Sequence, residues 1–319
     1  MKYNILKQNI YTTYKLSLSC FRFFRLLMVC NLIFILSFIY SNPTFGQEYA
    51  LNDKTAQIPF NAVTERLIKD GFSVDEIGKI YSNPKVSLEL KGVSLFFVHS
   101  ESKANYEQFL SDKSINSAAT YIQQHQSELD NAQAIYGVDK TIITAIMLVE
   151  TRLGTYLGNR EVINILSTMS ALSDTTEKER LWNFLSEEKR IERDKFDKKS
   201  ASKSKWAYSE LKAFLKYAAR EGIDPVEIKG SYAGAMGISQ FMPSNALTLA
   251  KDGNLDGKVD LFNHADAIHS IANYLKHHGW KPTLNREESY NVLYKYNHSN
   301  PYVETLLRIS ELLKNNSSI

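Results

Sequence analysis

Residues 230–243 have a composition that suits a binding surface for an uncharged polar ligand. They read Gly-Ser-Tyr-Ala-Gly-Ala-Met-Gly-Ile-Ser-Gln-Phe-Met-Pro. Their glycines and alanines allow close approach of the backbone and turns that a Cβ would forbid, and Ser231 and Gln240 supply neutral polar groups. Such a surface fits a hydroxyl- and amide-rich ligand such as an amino-sugar polymer. From composition alone, a tight helix-packing turn fits equally well.

Glu150, which lies upstream of this segment, is the candidate catalytic group. Four apolar residues, Ile146 to Val149, precede it, so we expect a carboxyl presented from a mostly buried helix. Burial and the negative end of the helix dipole both disfavour an ionised carboxylate. A protonated carboxyl can donate its proton to a leaving glycosidic oxygen. Considered alone, the residue fits a surface glutamate paired with Arg152 better than it fits a catalytic acid.

Four motifs in order resemble the MltB-type (family 3) lytic murein transglycosylases, and the resemblance runs from about Phe60 to Leu312. It implies a mainly α, lysozyme-like (SLT-type) core that cleaves the β-1,4 bond between MurNAc and GlcNAc of peptidoglycan and forms 1,6-anhydro-MurNAc. It also implies glycan strands as ligand, partners among proteins of cell-wall synthesis or remodelling, and no organic cofactor. The motifs are Val149-Glu150-Thr151-Arg152, the 230–243 segment, Ala272-Asn273-Tyr274 and Tyr296-Asn297-His298-Ser299.

The resemblance also assigns roles to single residues. Glu150 falls on the family's sole catalytic acid. It would protonate the leaving oxygen and then, as a carboxylate, deprotonate the C6 hydroxyl of MurNAc, while the N-acetyl group of that sugar attacks C1. The matched motifs contain no second acid, although ordinary glycosidases use two. The residues that match groove positions, including aromatic faces for sugar rings, are Ser231, Gln240, Tyr274, Tyr296, Asn297, Tyr302 and Tyr106.

Two other functions remain open at this point. A muramidase on the same fold would hydrolyse the bond, and a second essential carboxylate near the groove would indicate it. A non-catalytic wall-binding module is the other alternative, and such a module has no need of Glu150.

Residues 252–257 follow the Asp-x-Asn-x-Asp-Gly pattern of a calcium-binding EF-hand loop. The usual glutamate at position twelve is absent, and Asn263 stands there. The family uses a longer loop that closes with a carboxylate at position fifteen. The resemblance therefore implies a structural Ca²⁺ bound by Asp252, Asn254, Asp256, Asp266 and the backbone carbonyl of Lys258. By itself the pattern is also that of a polar turn.

The first 47 residues predict a signal peptide. They carry five basic residues and no acid, and an apolar run follows from Leu26 to Ile39. This run is shorter than the ~20 residues that a membrane span needs. We therefore expect export to the periplasm as a soluble protein, with a loose, uncleaved membrane anchor as the alternative.

Charge and cysteine content argue against nucleic-acid binding and against thiol chemistry. Without residues 1–47, the chain has 33 lysines and arginines against 35 acids, so no strongly cationic surface favours nucleic acid. Cys20 and Cys30 both lie in that segment. The remaining chain therefore has neither a disulfide nor a catalytic thiol.

The predicted organisation after the signal is an accessory helical region over residues 48–104 and a lysozyme-like domain over 105–319. Ser73 and Glu76 form a capping box that opens the second accessory helix. Val93–Val98 is ambiguous between a short strand and a surface loop. In the larger domain, periodicity predicts helices over 117–136, 139–154, 206–219 and 267–277. Residues 173–205 are dense in charges of both signs, which predicts a solvated helical insertion.

Overall fold

The structure, a computed structural model, describes residues 60–98 and 105–316. The predicted signal peptide lies outside these ranges. The described part contains thirteen α-helices, two short 3₁₀ helices and one two-stranded antiparallel sheet. The helices are α1 (Asn61–Lys69), α2 (Val74–Tyr81), α3 (Leu90–Val98), α4 (Asp112–Gln124), α5 (Gln126–Tyr136), α6 (Lys140–Thr151), α7 (Val162–Ala171), α8 (Thr175–Phe184), α9 (Arg193–Glu221), α10 (Pro243–Leu249), α11 (His264–His277), α12 (Arg286–Tyr296) and α13 (Asn300–Asn316). The strands are β1 (Arg160–Glu161) and β2 (Lys229–Gly230).

Helix α7 lies at the centre of the described part, and all of its residues are buried. It packs against the 29-residue helix α9 and also contacts α1, α3 and α8. Six of its ten residues are apolar, and its buried polar residues form hydrogen bonds, as Asn164 Oδ1 does with Ser87 N at 3.0 Å. The sequence analysis assigned no element here, although this apolar run was the available signal.

The two predicted accessory helices are present as α1 and α2. The Ser73 hydroxyl caps α2 by accepting a hydrogen bond from the backbone N–H of Glu76 at 3.4 Å. Apolar residues of α1 and α2, including Leu67 and Ile77, belong to the main hydrophobic core. The described residues on both sides of position 104 fall within one compact unit, 58–319.

Val93–Val98 is neither a strand nor a surface loop, because it belongs to helix α3. Val93 and Phe97 lie four residues apart, so they face the same side of the helix, and both are buried. A Cβ at Gly92 would lie 2.4 Å from Cδ1 of Ile165, which shows how closely α3 approaches α7. The β-branched and aromatic residues suggested a strand, but packing against α7 favours the helix.

All four predicted helices of the larger domain differ from the structure in their boundaries, and the one predicted over 139–154 ends at Thr151. The predicted helix over 117–136 is two helices, α4 and α5, separated at His125, whose ring stacks on His264 with 4.7 Å between ring centroids. The helix predicted over 206–219 begins at Arg193 and ends at Glu221. Helix α11 begins at His264. Asp139 caps α6 as predicted, since its side chain accepts a hydrogen bond from Thr141 N at 2.9 Å.

Residues 173–205 are largely helical, and most of them are exposed or half-buried, but the segment is not wholly solvated, because Leu181, Leu185 and Phe196 are buried. The segment forms α8, a 3₁₀ turn and the start of α9, and it contributes to a second core beside α3 and α7. Phe196 is fully buried there, with its ring centroid 4.9 Å from that of Trp182 and 5.0 Å from that of Phe97. The few apolar residues suffice because the other helices supply the rest of this core, while the charges pair on the outside.

In the part of the chain that the structure covers, no single helix is long and apolar enough to cross a membrane. Helices α5 and α6 meet the length and composition requirement only as a pair, and they are bent by 117° relative to each other.

Phe196→Ala is expected to lower the free energy of unfolding by ~3–5 kcal/mol, since it removes a fully buried ring and leaves a cavity. The measurement is urea denaturation followed by circular dichroism. Phe184→Ala is the matched control, because that ring is 49% exposed and exposed positions change stability by only ~0.5 kcal/mol. Equal, small effects of both substitutions would mean that residues 173–205 do not form a core.

Candidate active site

Glu150 is the penultimate residue of α6 and is half-buried. The hydroxyl of Tyr302, on α13, donates a hydrogen bond to its Oε1 at 2.6 Å. The Tyr302 ring is only 1% exposed, and it packs edge-to-face on Tyr106 with 6.1 Å between centroids. The fold thus brings together three predicted site residues that are far apart in sequence.

Arg152 contacts a residue other than Glu150. It lies in the left-handed region with φ 50°, directly after α6, and its guanidinium donates a hydrogen bond to Oε1 of Gln108 at 3.0 Å. Among the ion pairs of the described residues, none joins Arg152 to Glu150.

The hydroxyl of Thr151 connects the end of α6 to the glycine-rich segment 230–243. It donates a hydrogen bond to the backbone carbonyl of Ile238 at 3.1 Å and accepts one from Gly154 N at 3.0 Å. Thr151 is 1% exposed, so this bond is shielded from water. The sequence analysis did not assign it a role, although it stands inside the matched Val-Glu-Thr-Arg motif.

The glycines of segment 230–243 allow backbone to pack on backbone. Gly237 has φ 69°, and a Cβ there would lie 2.4 Å from the carbonyl oxygen of Leu261. A Cβ at Gly230 would lie 2.1 Å from the carbonyl oxygen of Ala235. The segment is therefore a tightly packed turn at these positions, whereas Ser231 and Gln240 remain half-exposed.

Ser231 and Gln240 each keep one hydrogen-bonding function unused within the described residues. The Ser231 oxygen accepts hydrogen bonds from Ala233 N and Ala235 N, each at 3.2 Å, which leaves its proton available. The Gln240 amide nitrogen donates to Gly237 O at 2.9 Å, which leaves Oε1 as an acceptor. Gln240 itself has φ 48°, a conformation that a non-glycine residue adopts only when its surroundings impose it.

The tyrosines of α11 and α12 form an aromatic layer behind Gln240. The Tyr296 hydroxyl donates to Ser239 O at 2.6 Å, and its ring lies 4.9 Å from that of Tyr274. The Tyr274 hydroxyl donates to Lys295 O at 2.7 Å. Burial raises the pKa of Tyr274 to about 12, and burial together with the nearby Glu150 charge raises the pKa of Tyr296. Both phenols therefore remain neutral donors.

Buried tyrosines cannot offer their ring faces to a sugar. Tyr274 is 5% exposed and Tyr302 is 1% exposed, so the expectation of open faces at these two positions is wrong. Their hydroxyls instead hold a backbone carbonyl and the Glu150 carboxyl. Tyr106 and Tyr296 are half-buried, and so is Asn297, which directly follows α12.

The 252–266 loop is held together by carboxylates that accept backbone N–H groups. Asp266 accepts from Gly253 N at 2.8 Å and from Asp260 N at 2.7 Å, and Asp252 accepts from Gly257 N at 2.8 Å. Asn263 caps α11 through Ala265 N, which gives it a structural role at position twelve.

The chemistry of this loop fits a hard cation, although its side chains do not converge on one point. Within the described ranges, no group of three or more His, Cys, Asp or Glu residues could hold a metal ion. However, Asp266 is 1% exposed and has no lysine or arginine partner among the described ion pairs. Burial and the charge of Asp252 raise its pKa. A buried carboxylate without a cation is unfavourable, and Ca²⁺ accepts such oxygen ligands.

The described part of the chain is a helical domain of the lysozyme-like class. The chain belongs to the family described as the transglycosylase SLT domain, whose profile matches residues 57–288. It is 33% identical over 174 residues to membrane-bound lytic murein transglycosylase B of Escherichia coli K12. That alignment spans 54% of this chain and 41% of the E. coli protein, which is less than half of the relative's length.

Solved structures with the same fold are also lytic transglycosylases. Soluble lytic transglycosylase SltB1 of Pseudomonas aeruginosa matches with a TM-score of 0.67 at 21% identity, over 82% of this chain and all of SltB1. E. coli Slt35 in complex with calcium matches with 0.63 at 21% identity, over 82% of this chain and 94% of Slt35. P. aeruginosa SltB3 in complex with NAG-anhNAM-pentapeptide matches with 0.63 at 19% identity, over 79% and 78% of the two chains. At these identities the matches establish the fold.

Tyr302→Phe is expected to lower the turnover of any reaction that uses the Glu150 carboxyl by about 10- to 100-fold, because a hydrogen bond to a charged group contributes ~1.5–3 kcal/mol. The assay compares turnover with the melting temperature of each variant. Tyr217→Phe is the matched control, since it also removes a buried tyrosine hydroxyl, one that binds Val259 O at 2.8 Å. Equal turnover by the two variants would contradict a role for Tyr302 in holding the acid.

Proposed function

We propose that the protein is a lytic transglycosylase that cleaves the β-1,4 bond between MurNAc and GlcNAc of peptidoglycan. The observation that carries this proposal is the Glu150 carboxyl, which the Tyr302 hydroxyl holds at 2.6 Å. Family membership and the names of the relatives support the same activity. The residues predicted to bind the substrate are all neutral, which suits a ligand rich in hydroxyl and amide groups. They are Tyr106, Ser231, Gln240, Tyr274, Tyr296, Asn297 and Tyr302.

The proposed reaction uses Glu150 twice. It first gives its proton to the oxygen of the breaking glycosidic bond, while the N-acetyl oxygen of MurNAc attacks C1. The resulting carboxylate then takes the proton of the C6 hydroxyl, whose oxygen attacks C1 and closes the 1,6-anhydro ring. The bond between C1 and the N-acetyl oxygen breaks in the same step, and the N-acetyl group stays on the sugar. The Tyr302 hydrogen bond stabilises the carboxylate between these steps. The Ser231 proton and Gln240 Oε1 are available to orient the sugars.

The proposed substrate is the glycan strand, and the proposed compartment is the periplasm. SltB3 binds a peptidoglycan fragment with an anhydro sugar, which supports this substrate for a chain of the same fold. The basic and apolar pattern of residues 1–47 supports export, either as a soluble protein or with a loose membrane anchor. Proteins of cell-wall synthesis or remodelling are the proposed partners.

The wild-type protein is expected to release muropeptides that end in 1,6-anhydro-MurNAc and are lighter by one water than hydrolysis products. The internal C6 hydroxyl competes well with water because proximity can be worth ~10⁵–10⁸ M in effective concentration. The measurement is mass spectrometry of purified sacculi after digestion. Products dominated by reducing-end MurNAc would support a muramidase instead.

The control for this experiment is Glu150→Gln, which keeps the side-chain shape but removes the acidic proton. Loss of a general acid typically costs ~10²–10⁴-fold in rate, and the half-exposed position predicts an unchanged melting temperature. Substantial turnover by the pure variant would place the acid elsewhere. Turnover by the wild type, together with retained binding and no turnover in the variant, would distinguish the enzyme from a wall-binding module, which has no turnover in either form.

We also propose that the 252–266 loop binds a structural Ca²⁺ through Asp252, Asn254, Asp256, Asp266 and the carbonyl of Lys258. The buried, unpaired Asp266 carboxylate supports this proposal, as does the calcium complex of Slt35. When bound, the cation would neutralise the acids of the loop. It would act on the loop and α11, and not in the cleavage step.

Millimolar CaCl₂ is expected to raise the melting temperature relative to EDTA, because a ligand that binds only the folded state at ten times its dissociation constant stabilises that state by ~1.4 kcal/mol. Extracellular calcium sites bind in the ~0.1–1 mM range, which sets the concentration. Asp256→Ala should remove the effect, whereas Asp224→Ala, an acid outside the loop, should retain it. Identical melting curves in EDTA and calcium would identify the loop as a polar turn.

A further inference from the structure

Tyr156 is a solvent-exposed aromatic residue six positions after Glu150. Its side chain is 68% exposed, and in the described ranges only one other aromatic residue, Phe184 at 49%, is also classed as exposed. Within these ranges its ring makes no aromatic contact and its hydroxyl makes no hydrogen bond. Single exposed apolar residues are common, so exposure alone does not indicate a function for Tyr156. Its position in the fold is the further observation.

The backbone of Tyr156 is fixed to the end of the catalytic helix. Tyr156 N donates a hydrogen bond to Thr151 O at 2.9 Å, so it is bound to the residue next to Glu150. The Thr155 hydroxyl donates to Arg152 O at 2.8 Å, and Leu153 N donates to Met147 O at 2.9 Å. These bonds hold residues 152–156 in a closed turn.

The next two residues contact the opposite side of the site. The Gln240 amide nitrogen lies 3.5 Å from Leu157 O. Gly158 has φ 86°, and a Cβ there would lie 2.1 Å from Gly230 O and 2.9 Å from Ser231 N. The turn that carries Tyr156 therefore connects the acid to both predicted groove residues, Ser231 and Gln240, and contacts each side directly.

We propose that Tyr156 is a substrate-binding residue that stacks on a sugar ring of the glycan strand beside the bond that Glu150 cleaves. This inference rests on the proposed function. The apolar face of a pyranose packs on an aromatic ring, and the phenol hydroxyl can bond the hydroxyls at the sugar's edge. A tyrosine loses only two side-chain torsions on binding, and the fixed backbone removes further ordering cost.

Among the described residues the exposed ring makes no cation–π contact, so its contribution to binding is that of a neutral aromatic face. It supplies an open aromatic face, which the buried rings of Tyr274 and Tyr302 do not. The contact therefore belongs to binding and orientation of the strand and not to proton transfer. A loss at this position should appear in Kd and KM, with a smaller change in kcat.

The test measures binding of peptide-free glycan strands by isothermal titration calorimetry, with Glu150→Gln as the parent so that no ligand is cleaved. Adding Tyr156→Ala is expected to weaken Kd by about 10-fold, which corresponds to ~1.4 kcal/mol. Tyr156→Phe should keep most of the affinity, because the ring remains. Melting temperatures should be unchanged, since the side chain is exposed. Phe184→Ala in the same parent is the matched control and should bind like the parent.

The outcomes separate this inference from the proposed function. Normal binding by the parent together with an unchanged Kd for Tyr156→Ala overturns the inference and leaves the proposed function in place. A loss shared equally by Tyr156→Ala and Phe184→Ala, or a lowered melting temperature, also overturns it by indicating a structural effect. Absence of glycan binding by the Glu150→Gln parent contradicts both the inference about Tyr156 and the proposed function. A weakened Kd that Tyr156→Phe restores supports the inference.

Discussion

The site depends on how the last turn of α6 is fixed. A carboxyl at the end of a helix is useful as a proton donor only if it is held against the bond that it must protonate. Here the Tyr302 hydroxyl binds the carboxyl itself, and the buried Thr151 hydroxyl binds the carbonyl of Ile238. The left-handed conformation of Arg152 then turns the chain away from the helix axis. These constraints leave Glu150 half-exposed but not free to move.

Glu150, Ser231 and Gln240 are singled out by the resemblance to a known family, because local sequence alone leaves a packing turn and a surface glutamate open. Glu150 follows an apolar run, and the glycines of segment 230–243 signal close backbone contacts. The Asp139 and Ser73 caps could also be identified, since each bonds a backbone group two or three residues away. Which tyrosines are buried depends on contacts across the fold. Tyr302 lies on α13 and Glu150 on α6, 152 residues apart in the chain. No periodicity in the sequence indicates that their side chains are in contact.

The two segments whose packing was not predicted have the same physical cause. Apolar residues are sparse in 173–205, so the sequence pattern is that of a solvated helix. In the structure, α3 and α7 supply the rest of the core around Phe196. Val93–Val98 has strand-like residue types, yet Gly92 allows the segment to lie against α7 as a helix. In both cases tertiary packing outweighs local propensity. The break at His125 has the same origin, since a contact with His264 accompanies it.

The 252–266 loop and the groove are mechanically connected through α11. Asp266 lies in the first turn of that helix and accepts backbone hydrogen bonds from Gly253 and Asp260 of the loop. Further along the same helix, Tyr274 packs on Tyr296, whose hydroxyl holds the carbonyl of Ser239, the residue before Gln240. Each contact in this series is buried or half-buried, so solvent screens it weakly. The loop is therefore joined through α11 and the two tyrosines to the strained backbone at Gln240, although loop and glutamine do not touch in any contact described above.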